Sequence, residues 1–258
     1  MRYDEQALRS IAEKYAEVGR IHDQLALRLS SILSSIRNTE AKEYLTQGVG
    51  RRLSILTRCI HNIFSIFPVR RTEHLALEEL ADVDINLHAF FVNLSGLLDN
   101  LGWVFVFEND FRGKLSKKNI GLFKNKTQSF LPENFRTYLN TERMKRWYSE
   151  YSKNYRDALA HRIPLYVPPF VLNREEQERY LALEDQIHAL DVRVYDNLAI
   201  CDQLREKQKE LGQPSLFFTH SFAEGSQPML LHAQVITDYV TVEEILNSFC
   251  ENMRTKPL

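Results

Sequence analysis

The chain has 258 residues, of which 44% are hydrophobic and 26% charged, with 9 glycines and 8 prolines. This composition indicates a folded, mainly helical protein and excludes a low-complexity chain, and the length suffices for one large domain or two small ones. The formal net charge of -1 excludes a general electrostatic attraction to nucleic acid, so any such binding must come from a local basic patch.

The cysteines and the first residues bear on where the protein works. Cys59, Cys201 and Cys250 are scattered, odd in number and without CxxC spacing. This pattern predicts reduced thiols rather than a disulfide framework or a zinc site. Residues 1–5 begin a polar amphipathic pattern rather than the apolar core of a secretion signal, and no segment is suited to crossing a membrane. We therefore expect a cytoplasmic protein without a membrane partner.

The N-terminal half predicts three long helices in succession. Apolar residues recur three and four apart from about residue 4 to residue 37, which is typical of a helix with one narrow apolar seam. A second helix ends before Pro68, and its Gly48 and Gly50 favour a bend or a close helix approach. The third, from about residue 72 to residue 106, is the most apolar. Polar residues interrupt it too often for a membrane span, so it is interpreted as the centre of a bundle.

Three asparagines on the third helix recur at intervals of seven. Asn86, Asn93 and Asn100 therefore share one face. Either they hydrogen-bond neighbouring helices and fix their register, which we favour, or they line a functional site. In the second case Asn93 is the first supporting residue for that site.

A basic loop is predicted from about residue 109 to residue 131. Between Phe111 and Leu131 every charged residue is basic, and phenylalanines are interleaved with them. Such a run is either a solvated surface or a loop that follows RNA phosphates while its rings stack on bases. The rings are Phe111, Phe123 and Phe130. The predicted RNA-binding residues are Lys114, Lys117, Lys118, Lys124, Lys126 and, beyond the loop, Arg162.

The stretch from Asn154 to Pro164 suggests chemistry rather than packing. Pro164 disfavours helical geometry in the residue before it, so the helix should end with His161 in its last turn. There the negative end of the helix dipole favours the imidazolium form. Asp157 is four residues before His161 and can orient the ring, while Arg156 flanks a common edge where a phosphate could be gripped. A lone histidine beside an arginine is a poor cation site, so no metal is implied.

The run Arg156-Asp157-Ala158-Leu159-Ala160-His161 resembles the Arg-x4-6-His signature of the HEPN superfamily. The resemblance extends over the helices from about residue 40 to residue 165, and not over the residues beyond. It implies a helical bundle and a metal-independent endoribonuclease without a cofactor, working as a homodimer whose two motifs meet at the interface. RNA is the implied substrate, with a regulatory or antitoxin partner in stress response, phage defence or a toxin system.

The resemblance also assigns catalytic roles. His161 would move a proton at the ribose 2'-hydroxyl or the leaving oxygen, Arg156 would stabilise charge on the phosphorus oxygens, and Asp157 would orient His161. This hypothesis predicts Arg156 and His161 in one exposed groove, with the basic loop at its rim. Two alternatives stay open. One is a non-catalytic HEPN-like protein that binds a nucleotide or a partner; the other is a structural helix end, with Arg156 held by an internal acid and His161 covered.

The C-terminal part begins after three prolines between residues 164 and 169, which predict an extended connector. One long helix is predicted from about residue 173 to residue 211. Its narrow seam suggests pairing with the N-terminal helix or with a second subunit. Residues 216–222 and 229–236 read as two strands in which His220 and His232 pack across the hairpin, and a short last helix begins near Thr241.

These elements together predict a mainly α protein, an antiparallel helical bundle with long helices plus a small C-terminal β-hairpin and a short helix. The predicted division is a HEPN-like bundle over residues 1–170 and a second part over residues 171–258, which is either separate or packed with the bundle as one domain.

Overall fold

A computed structural model describes residues 3–191 and 193–254 and shows a mainly α-helical protein with one small antiparallel sheet, which confirms the predicted fold class. Two π-helical segments interrupt the helices: Tyr44–Gly50 joins α2 to α3, and Arg146–Ser152 joins α7 to α8. The helices are α1 (Glu5–Leu33), α2 (Thr39–Glu43), α3 (Arg51–Ile66), α4 (Leu77–Glu108), α5 (Asn125–Gln128), α6 (Glu133–Leu139), α7 (Glu142–Lys145), α8 (Lys153–His161), α9 (Arg174–His188), α10 (Tyr195–Lys209) and α11 (Leu231–Arg254), and the strands are β1 (Phe217–Phe218) and β2 (Met229–Leu230).

The three predicted N-terminal helices are present. Asp4 starts α1 by accepting a hydrogen bond from the backbone N–H of Ala7, and Asn38 starts α2 in the same way. The close helix approach predicted at Gly48 is confirmed, because a methyl group there would lie 2.4 Å from Asn100 Nδ2. A side chain larger than hydrogen at this position would displace the Asn100 side chain.

α4 is the centre of the bundle. It packs along α3 and is long and apolar enough to cross a membrane by length and composition alone. However, 61% of its most apolar stretch is buried inside the protein, as expected for a core helix. The interpretation of this segment as the middle of a bundle is therefore confirmed.

The prediction of one helix over residues 173–211 is wrong, because the chain reverses between α9 and α10. Asp191 stabilises the turn by accepting from the backbone N–H of Arg193 at 3.0 Å. α9 and α10 pack on each other around a small separate core of Ile187, Cys201 and Leu204. Part of the seam of this segment is thus covered within the hairpin, while Val194 and Leu198 remain 48% and 45% exposed, and α1 packs instead on α11 and α3. The apolar residues keep helical spacing on both sides of the turn, so the sequence does not reveal the reversal.

The predicted strand over residues 229–236 is also wrong beyond Leu230, where α11 begins. The short helix predicted from Thr241 is the middle of this longer one, and the Thr241 hydroxyl bonds the Thr237 carbonyl at 2.9 Å. His232 does not face His220 across a hairpin; its Nε2 donates to the Phe67 carbonyl at 2.6 Å. The buried side chains of α11 follow helical spacing: Leu231, Val235, Tyr239, Val242 and Leu246.

One hydrophobic core unites both sides of the predicted division at residue 170. It contains side chains of α1, α3 and α4 together with those of α11. The connector after α8 is extended, as predicted, and Tyr166 forms paired backbone hydrogen bonds with Thr219 at 2.9 and 3.1 Å. These contacts fix the end of α8 against the loop that joins β1 to β2.

Candidate functional site

α8 ends where the sequence predicts. His161 is its last residue, and Arg162 leaves helical geometry with φ -134° and ψ -138°. Pro164 two residues later cannot continue the helix. The His161 side chain is exposed and forms no hydrogen bond within the part of the chain that the structure describes. Its imidazole is therefore available to an external ligand.

Arg156 and Asp157 form an ion pair on the same helix. Arg156 Nη1 lies 3.1 Å from Asp157 Oδ1, and Lys153 Nζ lies 2.9 Å from Asp157 Oδ2. Burial acts to raise the Asp157 pKa, but the Lys153 hydrogen bond and the charges of Arg156, Lys153 and His161 outweigh it and lower that pKa. Asp157 is therefore an ionised carboxylate. It is held by two cations, and among the described residues no hydrogen bond joins it to His161, so the expected orienting contact is not formed.

Asp99 of α4 brings a second carboxylate to this surface. Burial raises its pKa, while the charges of Arg156, Lys124 and Arg52 oppose the rise. Three elements thus direct cations toward one half-buried acid. In the described part of the chain no cation lies within 4 Å of the Asp99 carboxylate. The positive groups are therefore near Asp99 but form no ion pair with it. Arg156 also keeps a buried Nε that has no hydrogen-bond partner there.

Two features of α4 hold the Arg52 side chain in place. Its Nη1 donates to Asn93 Oδ1 at 3.0 Å, and its guanidinium lies over Gly96, where a methyl group would meet Arg52 Cζ at 2.4 Å. Asn93 therefore supports the site through Arg52 and not through Arg156 or His161. The asparagine face turns toward α3, because Asn62 donates to Asn86 Oδ1 at 2.9 Å. Asn86 and Asn93 therefore hydrogen-bond a neighbouring helix, as in the alternative in which the asparagines fix helix register.

Lys124 is the loop residue whose charge acts on Asp99, as that of Arg156 does. Gly121, with φ +157°, allows the loop to approach α4 so closely that a β-carbon there would lie 2.7 Å from Asp99 Oδ1 and 3.2 Å from Lys124 Cγ. Phe123 then stacks on Tyr148 with ring centroids 4.0 Å apart. The loop is fixed beside the π-helical segment that precedes α8.

The other predicted RNA-binding residues lie in different surroundings. Lys114 sits over the Phe111 ring at 5.2 Å, and Arg162 is paired with Glu224 at 2.9 Å and with Asn154 Oδ1 at 2.6 Å. Lys117 and Lys118 are exposed in a short 3-10 turn, and Lys126 is exposed in α5.

The loop rings are used in packing. Phe111 and Phe130 have centroids 4.6 Å apart, and both lie against the core, as does Phe123. Stacking of these rings on bases, which one alternative required, does not fit this arrangement. The loop contributes charge to the surface and not an aromatic platform.

Sequence reasoning missed Arg52 and Asp99. Asp99 was used only as evidence against a membrane span, although an ionisable residue in the most apolar helix is itself a signal of a site. Arg52 follows a glycine-containing segment whose π-helical geometry the sequence does not specify, and such segments frequently occur at functional sites.

The assembled surface, which we call the Arg156 surface, comprises Arg52, Asp99, Lys124, Lys153, Arg156, Asp157 and His161. Its cations outnumber its carboxylates on a chain of net charge -1, so the surface carries a local excess of positive charge. Within residues 3–191 and 193–254 no group of three or more His, Cys, Asp or Glu side chains is placed to hold a metal ion. No protein-family model, curated protein or solved structure matches the chain.

Proposed function

We propose that the protein is a metal-independent endoribonuclease of the HEPN type and that the Arg156 surface is its active site. The observation that carries the proposal is the exposed His161 ring, which forms no hydrogen bond with the described residues and lies one helical turn from the Arg156–Asp157 pair. A movable proton and a fixed guanidinium are the two groups that phosphodiester cleavage needs.

In the proposed reaction the ribose 2'-hydroxyl loses a proton and the leaving 5'-oxygen gains one; His161 makes one of these transfers and the paired motif of the second subunit makes the other. Attack of the 2'-oxygen on phosphorus forms one P–O bond as the bond to the 5'-oxygen breaks, which leaves a 2',3'-cyclic phosphate and a 5'-hydroxyl. Arg156 stabilises the charge on the phosphorus oxygens, and Arg52 and Lys124 bind neighbouring phosphates. A homodimer would bring two such surfaces to one cleft.

Cleavage of labelled single-stranded RNA in EDTA tests this proposal. We expect His161→Ala and Arg156→Ala each to lower the rate by about 10²–10⁴-fold, because each removes a group that acts in the transition state. The wild-type products should carry cyclic phosphate ends.

His188→Ala and Arg174→Ala are the matched controls, because both side chains are exposed on α9 and belong to no part of the Arg156 surface. They should cleave like the wild type. Cleavage that EDTA abolishes, or that survives in the His161 and Arg156 variants, would contradict the assignment.

One observation favours the alternative of a non-catalytic HEPN-like binding protein. Asp157 is held by Lys153 at 2.9 Å and by Arg156 at 3.1 Å, which leaves the His161 ring without an orienting carboxylate. In that case the same surface binds a nucleotide or RNA without cutting it. Fluorescence polarisation with an RNA whose 2'-hydroxyls are methylated measures binding without cleavage. If Arg156→Ala loses this binding and the wild type does not cleave natural RNA, the non-catalytic alternative is supported.

A further inference from the structure

A second cleft, of about 570 Å³, lies between α8 and the loop that joins β1 to β2. Tyr151 and Tyr155 line its helix side, His220 and Glu224 line its loop side, and Arg162 lies at the end of α8. The three predicted catalytic residues are not among its lining residues. A volume of this size is within the range of small-molecule sites.

His220 is a buried group without hydrogen bonds in this cleft. Its side chain is only 1% exposed, and neither ring nitrogen has a hydrogen-bond partner in the described part of the chain. Nδ1 lies 3.4 Å from Glu224 Oε2, but in a geometry that does not form a hydrogen bond. Buried polar atoms are normally paired, and leaving them unpaired is costly. The ring therefore lacks the partners that a buried imidazole normally has, and it borders a cleft from which a ligand could supply them.

The helix side of the cleft offers a limited aromatic surface, because Tyr151 is partly exposed whereas Trp147 and Tyr155 are only 9% and 3% exposed. Trp147 Nε1 and the Tyr151 hydroxyl both donate to the buried carboxylate of Asp238, at 2.8 and 2.7 Å. Because the polar atoms of these side chains are already used, what they offer a ligand is ring surface. Such surfaces favour a flat, polarisable partner.

The polar groups of the cleft favour a neutral ligand. Its two cations are already paired, Arg162 with Glu224 at 2.9 Å and Arg146 with Glu142 at 3.0 Å, so no surplus positive charge attracts a phosphate. Burial and the charge of Arg162 lower the pKa of His220 against the opposing effect of Glu224. A neutral imidazole has one donor and one acceptor, and the adjacent carboxylate is an acceptor.

We propose that this cleft binds a nucleobase, with the flat heterocycle against the partly exposed Tyr151 ring and its donor and acceptor groups on His220 and Glu224. A nucleobase combines a π surface with an edge that carries donors and acceptors side by side. The proposal does not rest on ribonuclease activity, since a nucleoside that lacks phosphate is sufficient to occupy the cleft.

Saturation-transfer NMR with adenosine, guanosine, cytidine and uridine at millimolar concentration tests the proposal on the full chain. We expect at least one nucleoside to bind the wild type and His220→Phe to weaken that binding by about tenfold or more, because both nitrogens are removed. The ring volume is kept, so thermal unfolding should occur at an unchanged or higher temperature. A merely structural histidine would not lose affinity while retaining stability.

Two further variants keep the test decisive. Glu224→Gln should also weaken binding, and it is informative even if His220→Phe folds poorly, because Glu224 is exposed on the loop. Phe222→Ser is the matched control: this residue is 58% exposed on the same loop and does not line the cleft, so binding should be unchanged. Absence of binding by all four nucleosides would overturn the proposal and leave water as the partner of His220. Equal affinity in the wild type and both cleft variants would also overturn it.

Discussion

Asp238 is the most deeply buried carboxylate that the structure describes near α8. Burial raises its pKa from 3.8 to about 6, even though hydrogen bonds from Trp147, Tyr151 and Gln234 act in the opposite direction. No cation forms an ion pair with it in the described part of the chain. The carboxylate therefore links the π-helical segment before α8 to α11 through hydrogen bonds alone, and its ionisation is unfavourable in the folded state.

This pKa shift predicts how stability depends on pH. The folded protein binds the Asp238 proton more tightly than the unfolded chain, so its free energy of unfolding falls as pH rises from about 4 to about 6. The loss attributable to this group is about 3 kcal/mol. Urea unfolding between pH 4 and pH 7 measures this. As pH rises, the free energy of unfolding of the wild type should fall by about this amount relative to that of Asp238→Asn. A difference that does not change with pH would contradict the prediction.

At the scale of elements, glycines allow α4 to meet its neighbours in two different ways. A methyl group on Gly96 would meet only the end of the flexible Arg52 side chain, at 2.4–2.7 Å. A methyl group on Gly102 would meet the backbone of Gly121 and Leu122 at 2.6–2.7 Å. Side-chain ends can move aside at little cost, whereas a packed backbone cannot.

The two glycines therefore predict opposite effects of the same substitution. Gly96→Ala should leave the free energy of unfolding unchanged or raise it by up to about 1 kcal/mol, because alanine is the better helix former. It should lower RNA cleavage about tenfold by displacing Arg52. Gly102→Ala should lower the free energy of unfolding by about 1–3 kcal/mol. Urea unfolding and RNA cleavage of both variants check this, and equal destabilisation by both substitutions would refute it.

The same elements show which structural features could be predicted from the sequence. The ends of the first helices and of α8 were predictable, because Asp4, Asn38 and the prolines act locally. The reversal between α9 and α10 was not, because helical spacing continues on both sides of the turn. The residue that pairs with Asn93 was also hidden: Arg52 is 41 positions away, and only the packing of α3 on α4 makes it a neighbour.

At the scale of the whole molecule, α9 and α10 stand apart from the main core. Their own small cluster contains Ile187, Cys201 and Leu204, whereas the main cluster includes α1, α3, α4 and α11. The base of the hairpin is closed by two backbone hydrogen bonds between Val171 and Gln213, at 2.8 and 3.1 Å. The chain therefore leaves and re-enters the bundle at nearly the same point.

This arrangement predicts that the hairpin can be removed and that α11 cannot. Replacing residues 173–211 by a short glycine and serine linker should preserve helical circular dichroism and cooperative thermal unfolding, because the main core loses none of its buried side chains and the gap to be closed is small. Ending the chain before Leu231 should abolish cooperative unfolding, since Val235, Tyr239 and Val242 would leave the core. If the chain without the hairpin also unfolds without cooperativity, the bundle does not fold independently of α9 and α10. If it folds and cleaves RNA at the wild-type rate, the proposed active site needs no contribution from the hairpin.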